Sequence, residues 1–386
     1  MSLLFRIVLA LLLTSTTLLA REPIAAALQP FVDDHVLAGA VTLVADREKV
    51  LSVETVGFAD IGKQKGMQPD SVFWIASMSK PITGLAVMIL VDEGKVSLDD
   101  PVEKYIPEFK GQMVVVEQDG AHVLLKKPKH AITVRNVMAH TSGLPFKTPI
   151  EAPTLDILPL SARVRSYAMT PLQFEPDSKY QYSNAGINIG GRIVEVVTGM
   201  SFEKFLDERL FQPLGMRDTT FYPQAAQIAR LAKAYKPNAD KSGLDETPIS
   251  QLLYPLDSAE RTSMPAGGLF STAADLALLC RMVLNEGELN GKRYLSAAAI
   301  KQMATTQTGD LPNSYGVGWS TNRSTGSFGH GGALSTNMQI DPANQLITIF
   351  LVQHAGWPKE SGKTILPTFQ KTALATFGKK PEFIGK

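Results

Sequence analysis

The chain has 386 residues, of which 44% are hydrophobic and 19% are charged, and its formal net charge at pH 7 is +1. A chain of this length and apolar content can bury a sizeable core in one large domain or in two. Basic and acidic residues are dispersed, which argues against a nucleic-acid partner because such proteins normally carry a basic stripe. The single cysteine, Cys280, lies in an apolar run, so we expect a buried thiol.

The first twenty residues have the pattern of a secretory signal peptide. Arg6 precedes the apolar run from Ile7 to Leu13, and hydroxyl and small residues follow up to Ala20. We therefore predict that residues 1–20 are a signal peptide and that the mature protein is secreted or periplasmic, with no stable membrane span after cleavage. The alternative is a membrane anchor, but the run is shorter than the roughly 20 apolar residues that cross a bilayer.

The predicted elements place strands at both ends of the chain and helices in the middle. Residues 24–35 have apolar side chains at helical spacing, and two β-rich runs follow as a hairpin, 38–45 and 50–58. A long helix is predicted from Ser77 to Glu93, where Gly94 ends it. The later strands are predicted over residues 113–117, 122–125, 316–320, 326–330, 335–340 and 345–353, and the later helices over 133–140, 185–197, 201–211, 272–284 and 360–377.

This order of elements predicts an α+β fold. Residues 21–112 and 266–386 would form a mixed domain with a central antiparallel sheet flanked by helices, and residues 113–265 would form an inserted, mainly helical domain. A cleft between two such domains is a natural place for a functional site.

The first candidate site lies where an extended segment gives way to the long helix. Ser77 and Lys80 are three residues apart, so both project to the same face of a helical turn and the lysine amine can approach the serine hydroxyl. A serine hydroxyl becomes a nucleophile when a nearby base takes its proton, and a helix start adds free backbone N–H groups. We interpret this pair as a possible activated nucleophile.

Two further segments offer groups that such a nucleophile needs. Tyr182 lies just before a predicted helix, and a tyrosine beside a lysine ammonium can have its pKa pulled down, so that its phenolate acts as a general base. In the late segment Gly329 to Ala333, glycines let a substrate approach the backbone, and the N–H of Ala333 could join that of Ser77 in binding an oxyanion. In isolation, the first segment is more often a helix-capping loop and the second more often an ordinary strand connection.

Other catalytic motifs are missing from the sequence. It contains no Gly-x-Ser-x-Gly elbow, no His-Glu-x-x-His zinc helix and no phosphate-binding glycine loop. The six histidines are scattered without metal-ligand spacing, so we expect neither a metal nor a cofactor. We interpret residues 140–145 as a helix C-terminus at which His140 favours the negative end of the dipole, and residues 265–272 as a structural return segment with a helix cap.

Three short motifs form a joint pattern along the chain. They are Ser-x-x-Lys (Ser77 and Lys80), Tyr-x-Asn about a hundred residues later (Tyr182 and Asn184), and His-x-Gly on a late strand (His330 and Gly332). This pattern resembles the serine β-lactamase-like superfamily, which contains class C β-lactamases, D,D-carboxypeptidases of the penicillin-binding type and family VIII carboxylesterases. The resemblance covers about residues 38–353. It implies a mixed sheet with a helical insertion and a catalytic serine between the two.

The resemblance also implies roles for individual residues. Ser77 would be acylated, Lys80 would share its proton, and Tyr182 would act as general base and then protonate the leaving group. Asn184 would contact the acyl side of the substrate, and the N–H groups of Ser77 and Ala333 would form the oxyanion hole. The implied reaction is a two-step acyl transfer through an acyl-enzyme.

The late strand departs from the pattern of β-lactamases and penicillin-binding proteins. Those enzymes have Lys-Thr-Gly, whereas this chain has His330, Gly331 and Gly332, which we place among the substrate-binding residues. A lysine is a permanent cation that pairs with a substrate carboxylate, whereas a histidine is mostly neutral at pH 7. The sequence therefore favours an exported serine hydrolase that cleaves carboxylic esters. The alternatives are a D,D-carboxypeptidase or weak β-lactamase acting on peptide or lactam substrates, and a non-catalytic ligand-binding or sensor module.

Overall fold

The computed structural model describes residues 23–378, and the predicted signal peptide lies outside this range. Between its first and last helices the chain alternates short helices with short strands. The helices are α1 (Ile24–Asp33), α2 (Ser79–Asp92), α3 (Val134–Met138), α4 (Leu160–Ala168), α5 (Asn184–Thr198), α6 (Phe202–Leu206), α7 (Gln212–Leu214), α8 (Ala225–Ile228), α9 (Ala273–Leu284), α10 (Ala297–Ala304) and α11 (Ile365–Phe377).

The strands fall into one large sheet and four two-stranded pairs within the described residues. They are β1 (Gly39–Ala45), β2 (Val50–Asp60), β3 (Lys65–Gly66), β4 (Phe73–Trp74), β5 (Val114–Gln118), β6 (Val123–Lys126), β7 (Ala234–Pro237), β8 (Leu244–Thr247), β9 (Phe270–Ser271), β10 (Glu288–Leu289), β11 (Lys292–Arg293), β12 (Ser320–Thr321), β13 (Phe328–Gly331), β14 (Asn337–Asp341) and β15 (Leu346–Leu351).

The large sheet is antiparallel and joins the two ends of the chain. Its strand order is β12-β13-β14-β15-β1-β2-β3, and β1 pairs with β15 so that Val41 lies opposite Leu351. All seven residues of β1 are buried, because helices cover both faces of the sheet. Helices α1 and α11 pack on one face, and α9 packs on the other. The predicted α+β class and the central antiparallel sheet are confirmed.

Between the two parts of the sheet lie short helices and two hairpins. The predicted exposed hairpin is present as β5–β6, while β7–β8 and helix α4 were not predicted from the sequence. Helix α5 packs against α2, which links this middle segment to the sheet side of the molecule. The division into a sheet domain and an insertion of residues 113–265 stays a prediction.

One predicted strand is wrong. Residues 316–320 contain strand-like apolar residues, but only Ser320 belongs to a strand, β12. Gly318 has φ +79°, and the N–H of Gly316 donates to Trp319 O at 2.8 Å, so the backbone turns instead of extending. The apolar side chains of this segment fill the core next to α2, which explains their strand-like pattern.

Helix α2 is central to the molecule because it has no exposed face over most of its length. Its residues from Ser79 to Leu90 are all buried. A Cβ added to Gly84 would lie 2.1 Å from Val317 O, so glycine is required for the close approach of that segment. Among residues 23–378, no helix is long and apolar enough to cross a membrane.

Candidate active site

Ser77 lies in a 3₁₀ turn, Ala76–Met78, immediately before α2, so the helix itself begins two residues later than predicted. The preceding residue, Ala76, has φ +46°, a left-handed conformation that costs a non-glycine residue about 1 kcal/mol or more. Surrounding hydrogen bonds hold this conformation: Ile75 N–H donates to Leu269 O at 3.0 Å, and Trp74 Nε1–H donates to Gly267 O at 2.7 Å. The turn therefore presents Ser77 from a fixed backbone.

The amine of Lys80 lies next to the Ser77 hydroxyl and is fully buried. Its Nζ atom is 3.1 Å from Ser77 Oγ, 2.8 Å from Asn184 Oδ1 and 2.7 Å from Ala266 O. The last two atoms can only accept hydrogen bonds. A neutral amine has two N–H groups for these two acceptors and one lone pair, which then faces the hydroxyl proton of Ser77.

Burial also favours the neutral amine. It holds the pKa of Lys80 well below its usual value, because the ammonium form loses its hydration in the interior. None of the 17 salt bridges of the described residues involves this amine. Lys80 can therefore accept the proton of Ser77 without first losing one to bulk water.

Tyr182 lies over the same pair of residues. The Lys80 Nζ atom is 4.7 Å from the centre of its ring, and its hydroxyl interacts with the Ser77 side chain. Burial raises the pKa of Tyr182 above its usual value, although its interaction with the Ser77 side chain partly opposes this effect. The predicted lowering of its pKa towards a phenolate is therefore wrong, since the neighbouring amine is itself buried and favours its neutral form. The neutral phenol is suited to donating a proton.

The two amides predicted to form an oxyanion hole have no partner of their own. Neither the N–H of Ser77 nor that of Ala333 donates to an acceptor within residues 23–378. The turn that carries Ala333 follows β13, and a Cβ added to Gly332 would lie 2.1 Å from Thr336 Oγ1 and 2.7 Å from Ile75 O. The glycine thus lets this turn approach the residues just before Ser77, and β13 packs against the 3₁₀ turn. Two free N–H groups can stabilise the negative charge of a tetrahedral intermediate.

His140 belongs to the site, contrary to its predicted role at a helix end. Helix α3 ends at Met138, and the His140 ring is buried with its centre 4.6 Å from that of Tyr182. Its Nδ1 atom accepts a hydrogen bond from Ser183 N–H at 3.2 Å. Burial and the nearby Lys80 hold the pKa of His140 well below its usual value, so it is neutral and cannot favour the helix dipole as a cation. Instead it fixes the backbone beside Tyr182.

The predicted substrate-binding histidine, His330, also lies beside Tyr182. The rings of His330 and Tyr182 have centres 6.1 Å apart. His330 Nε2 is 2.9 Å from the hydroxyl of Tyr315, and its Nδ1 is 2.6 Å from Gly331 O. Burial, together with the nearby Lys80, lowers the pKa of His330 to about 3. The site therefore contains two neutral imidazoles.

The structure brings all the predicted site residues together around Ser77, namely Lys80, Tyr182, Asn184, His330, Gly331, Gly332 and Ala333. Sequence reasoning missed Tyr315 and His140, and it gave Ala266 only a structural role. Tyr315 lies 15 residues before His330, immediately before the segment 316–320 that is predicted as a strand. Nothing in the local pattern signalled that its hydroxyl reaches an imidazole. Within residues 23–378 no group of three or more acidic, histidine or cysteine side chains could hold a metal ion.

A family model described as beta-lactamase matches residues 24–367, which is nearly all of the described chain. The chain belongs to the beta-lactamase family. This family lies in the serine β-lactamase and transpeptidase-like superfamily, which confirms the resemblance seen in the sequence. The superfamily consists of serine hydrolases that include esterases and carboxypeptidases.

Relatives with different names share this similarity. The chain is 32% identical over 366 residues to Protein Rv1367c of Mycobacterium tuberculosis, with 85% of this chain and 89% of that protein covered. It is 34% identical over 214 residues to Esterase EstB of Burkholderia gladioli, with 52% and 50% covered. Among solved structures it resembles EstCE1, a hydrolase with promiscuous acyltransferase activity, with a TM-score of 0.75, 23% identity, and 91% and 97% of the two chains covered. That structural likeness shows the shared fold.

Proposed function

We propose that this protein hydrolyses esters of uncharged carboxylic acids through an acyl-enzyme on Ser77. The observation that carries the proposal is the placement of the Ser77 hydroxyl 3.1 Å from the fully buried amine of Lys80. The similarity to Esterase EstB supports the choice of ester substrates, and so does the neutral His330 at the position where β-lactamases carry a cationic lysine.

In the proposed reaction, the Lys80 amine accepts the proton of Ser77 as Oγ attacks the ester carbonyl. The N–H groups of Ser77 and Ala333 stabilise the oxyanion. The phenol of Tyr182 donates a proton to the departing alkoxide and regains one from the Lys80 ammonium. The resulting acyl-enzyme is then attacked by water, whose proton passes through the same groups to the departing Ser77 Oγ, and the acid is released.

The direct test compares the wild-type protein with Ser77→Ala in the hydrolysis of p-nitrophenyl butyrate. We expect the substitution to remove at least 99% of the enzymatic rate, because it deletes the hydroxyl that lies 3.1 Å from the Lys80 amine. Mass spectrometry after rapid acid quench should find a butyryl group on the peptide that contains Ser77. Ser324→Ala, a change in an exposed turn, is the matched control and should leave the rate unchanged. Equal rates for wild type and Ser77→Ala would refute the proposal.

The same serine could also open a lactam or a peptide, and the chain is 26% identical over 302 residues to a putative D-alanyl-D-alanine carboxypeptidase of Escherichia coli. Prolonged incubation with a fluorescent penicillin tests this second candidate. A covalent adduct on Ser77 would favour it, and an unlabelled Ser77 in an esterolytically active sample would exclude a penicillin-binding role.

Export belongs to the proposal as well, on the basis of the signal-like pattern of residues 1–20. N-terminal sequencing of the protein expressed with its full chain should find Arg21 as the first residue. An intact N-terminus on all of the protein would contradict cleavage.

A further inference from the structure

Tyr315 and His330 form a buried polar pair beside the proposed nucleophile. Tyr315 is 1% exposed and His330 is 8% exposed. The Tyr315 hydroxyl oxygen lies 2.9 Å from Nε2 of the imidazole, and the other ring nitrogen, Nδ1, lies 2.6 Å from Gly331 O. Both ring nitrogens therefore have a partner within the protein.

These two partners determine the tautomer of the imidazole. A backbone carbonyl oxygen can only accept, so the hydrogen of the neutral ring must be on Nδ1, which donates to Gly331 O. Nε2 then carries the lone pair, and the Tyr315 hydroxyl must be the donor in their hydrogen bond. In this arrangement His330 has no N–H group left to offer to a substrate.

The groups around His330 also oppose its protonation. Lys80 and the rings of Tyr182, Tyr315 and His140 form its titratable surroundings, and no carboxylate pairs with it among the described residues. A hydrogen bond donated to the neutral form of a base disfavours its charged form. The Tyr315 hydroxyl is such a donor, so its removal should make the imidazolium more accessible.

We propose that Tyr315 is a positioning residue that keeps His330 in its neutral, Nδ1–H form, and that this pair makes the enzyme select uncharged acyl groups over acyl groups that carry a carboxylate. The selectivity rests on the proposed esterase function, whereas the tautomer does not. A substrate carboxylate next to His330 and Tyr315 meets neither a cation nor a free side-chain N–H group. It would also lose its hydration on entering the site, which is unfavourable.

The tautomer is tested by NMR without any turnover. In Ser77→Ala protein labelled with ¹⁵N-histidine, two-bond ¹H–¹⁵N correlations report which ring nitrogen carries the hydrogen, and His330→Gln assigns the signal. We expect the Nδ1–H pattern at every pH from 5.5 to 8.5. His354 is an internal control, because its Nε2 accepts from Ala38 N–H at 3.0 Å and it is also buried. An Nε2–H pattern, or titration of His330 within this range, would overturn the proposal.

The selectivity is tested with two esters of equal chain length, p-nitrophenyl valerate and the p-nitrophenyl monoester of glutaric acid. The measured quantity is the ratio of kcat/KM for the anionic ester to kcat/KM for the neutral one. For the wild type we expect a ratio below about 0.1 that does not change between pH 6 and pH 8. In Tyr315→Phe we expect the ratio to rise about fivefold at pH 6 and less at pH 8, because Nε2 has then lost its donor and the carboxylate of the anionic ester, once it lies beside the ring, itself favours the imidazolium.

Two further variants make the result decisive. Tyr294→Phe is the control, because it removes a hydroxyl that donates to Pro213 O at 2.7 Å and that contacts none of the site residues named above. It should leave the ratio unchanged. His330→Lys introduces a cation and should raise the ratio about tenfold at both pH values. A ratio in Tyr315→Phe equal to that in Tyr294→Phe would overturn the selectivity role. If Tyr315→Phe does not fold, an unchanged ratio in His330→Lys would overturn it instead. If the wild-type protein hydrolysed neither ester, the proposed function would be refuted, but the NMR test of the tautomer would still be valid.

Discussion

Two acceptors that cannot donate in return, Asn184 Oδ1 and Ala266 O, surround the buried amine of Lys80. They use both N–H groups of a neutral amine and direct its lone pair at Ser77. Burial, rather than these acceptors, disfavours the ammonium ion and lowers the pKa of Lys80, because the charged form loses its water in the interior. In the proposed reaction, the role of Lys80 therefore depends on its ability to lose a proton rather than on its charge.

This view predicts that Lys80→Arg will be inactive although it retains a long cationic side chain. Arginine cannot be deprotonated in proteins, so we expect kcat/KM for p-nitrophenyl butyrate to fall at least about a hundredfold. In the wild type the active form is the neutral amine, whose pKa is lowered, so kcat/KM should be lost as the pH falls and should reach its plateau well below pH 10.5. Steady-state rates from pH 5 to pH 9 check both points.

The control for this prediction is Lys301→Arg, which changes an exposed lysine and should leave the profile unaltered. The role of Lys80 as a base would be contradicted if Lys80→Arg kept more than a tenth of the activity. A wild-type rate that decreased as the pH rose from 6 to 9 would contradict it equally.

Among the individual site residues, the sequence predicted those that belong to a motif and missed those that reach the site only through tertiary contacts. Ser77 and Lys80 lie on one turn, so their proximity follows from helical spacing. Tyr315 and His140 reach the site through buried ring contacts between distant segments, with centres 4.5 Å apart. The predicted phenolate of Tyr182 failed because burial, which the sequence does not reveal, outweighs the effect of the neighbouring amine.

Among the elements, the start of helix α5 matters most for the site. Ser183 caps this helix by accepting a hydrogen bond from Gly186 N–H at 3.1 Å, and its hydroxyl donates to Pro145 O at 2.7 Å. Tyr182 precedes the cap and Asn184 begins the helix. A Cβ added to Gly186 would lie 2.4 Å from Val137 O, so α5 also packs closely on α3.

We predict that Ser183→Ala will lower the free energy of unfolding by about 1 kcal/mol through loss of the cap, and that it will also reduce kcat. The reduction in kcat follows from the position of Ser183 between two site residues. Urea denaturation and steady-state kinetics measure the two effects separately.

The matched control is Ser296→Ala, which removes the cap of α10, where the serine accepts from Ala299 N–H at 3.1 Å. We expect a similar loss of stability there with unchanged kcat. If both substitutions altered kcat to the same extent, the link between the α5 cap and the site would be disproved.

The elements that the sequence failed to predict are short or lack a periodic pattern. Helix α4 follows a long proline-containing segment and has only nine residues, and four of them are buried. Residues 316–320 read as a strand because they alternate with glycine, yet Gly318 turns the backbone. The long helices α2 and α5 were predicted because their apolar patterns extend over many residues.

For the whole molecule, a buried ion pair joins two parts of the middle segment. Arg261 Nε lies 2.7 Å from Asp156 Oδ2, and the two side chains are 1% and 0% exposed. Asp156 also accepts from Leu253 N–H at 2.9 Å, and Arg261 donates to Leu256 O at 2.6 Å. These contacts hold together the loops that contain Asp156 and Arg261.

We predict that Arg261→Met will lower the free energy of unfolding by about 3–5 kcal/mol, because it leaves the Asp156 carboxylate buried without its partner. Urea denaturation at pH 7 measures the loss. Glu360→Ala is the control, since it breaks an exposed pair with Lys363 and should change stability by less than about 1 kcal/mol. Equal effects of the two substitutions would show that burial does not determine the strength of the Arg261 pair.

The fold as a whole was predictable because strand patterns occur at both ends of the chain and helical patterns in between. The pairing of β1 with β15 could only be expected in outline, since register depends on contacts 300 residues apart. The superfamily resemblance supplied the rest, and the beta-lactamase family model confirms it.

The position of β1 between β2 and β15 also sets an order of events during synthesis. The ribosome makes Ser77 and α2 early, but β13, which packs against the nucleophile turn, is made about 250 residues later. A growing chain therefore contains Ser77 and Lys80 long before it contains the Ala333 amide or β15, the second strand with which β1 pairs. Long-range pairing of this kind is slow to form. The proposed catalytic activity should consequently appear only in chains that have reached their C-terminal strands.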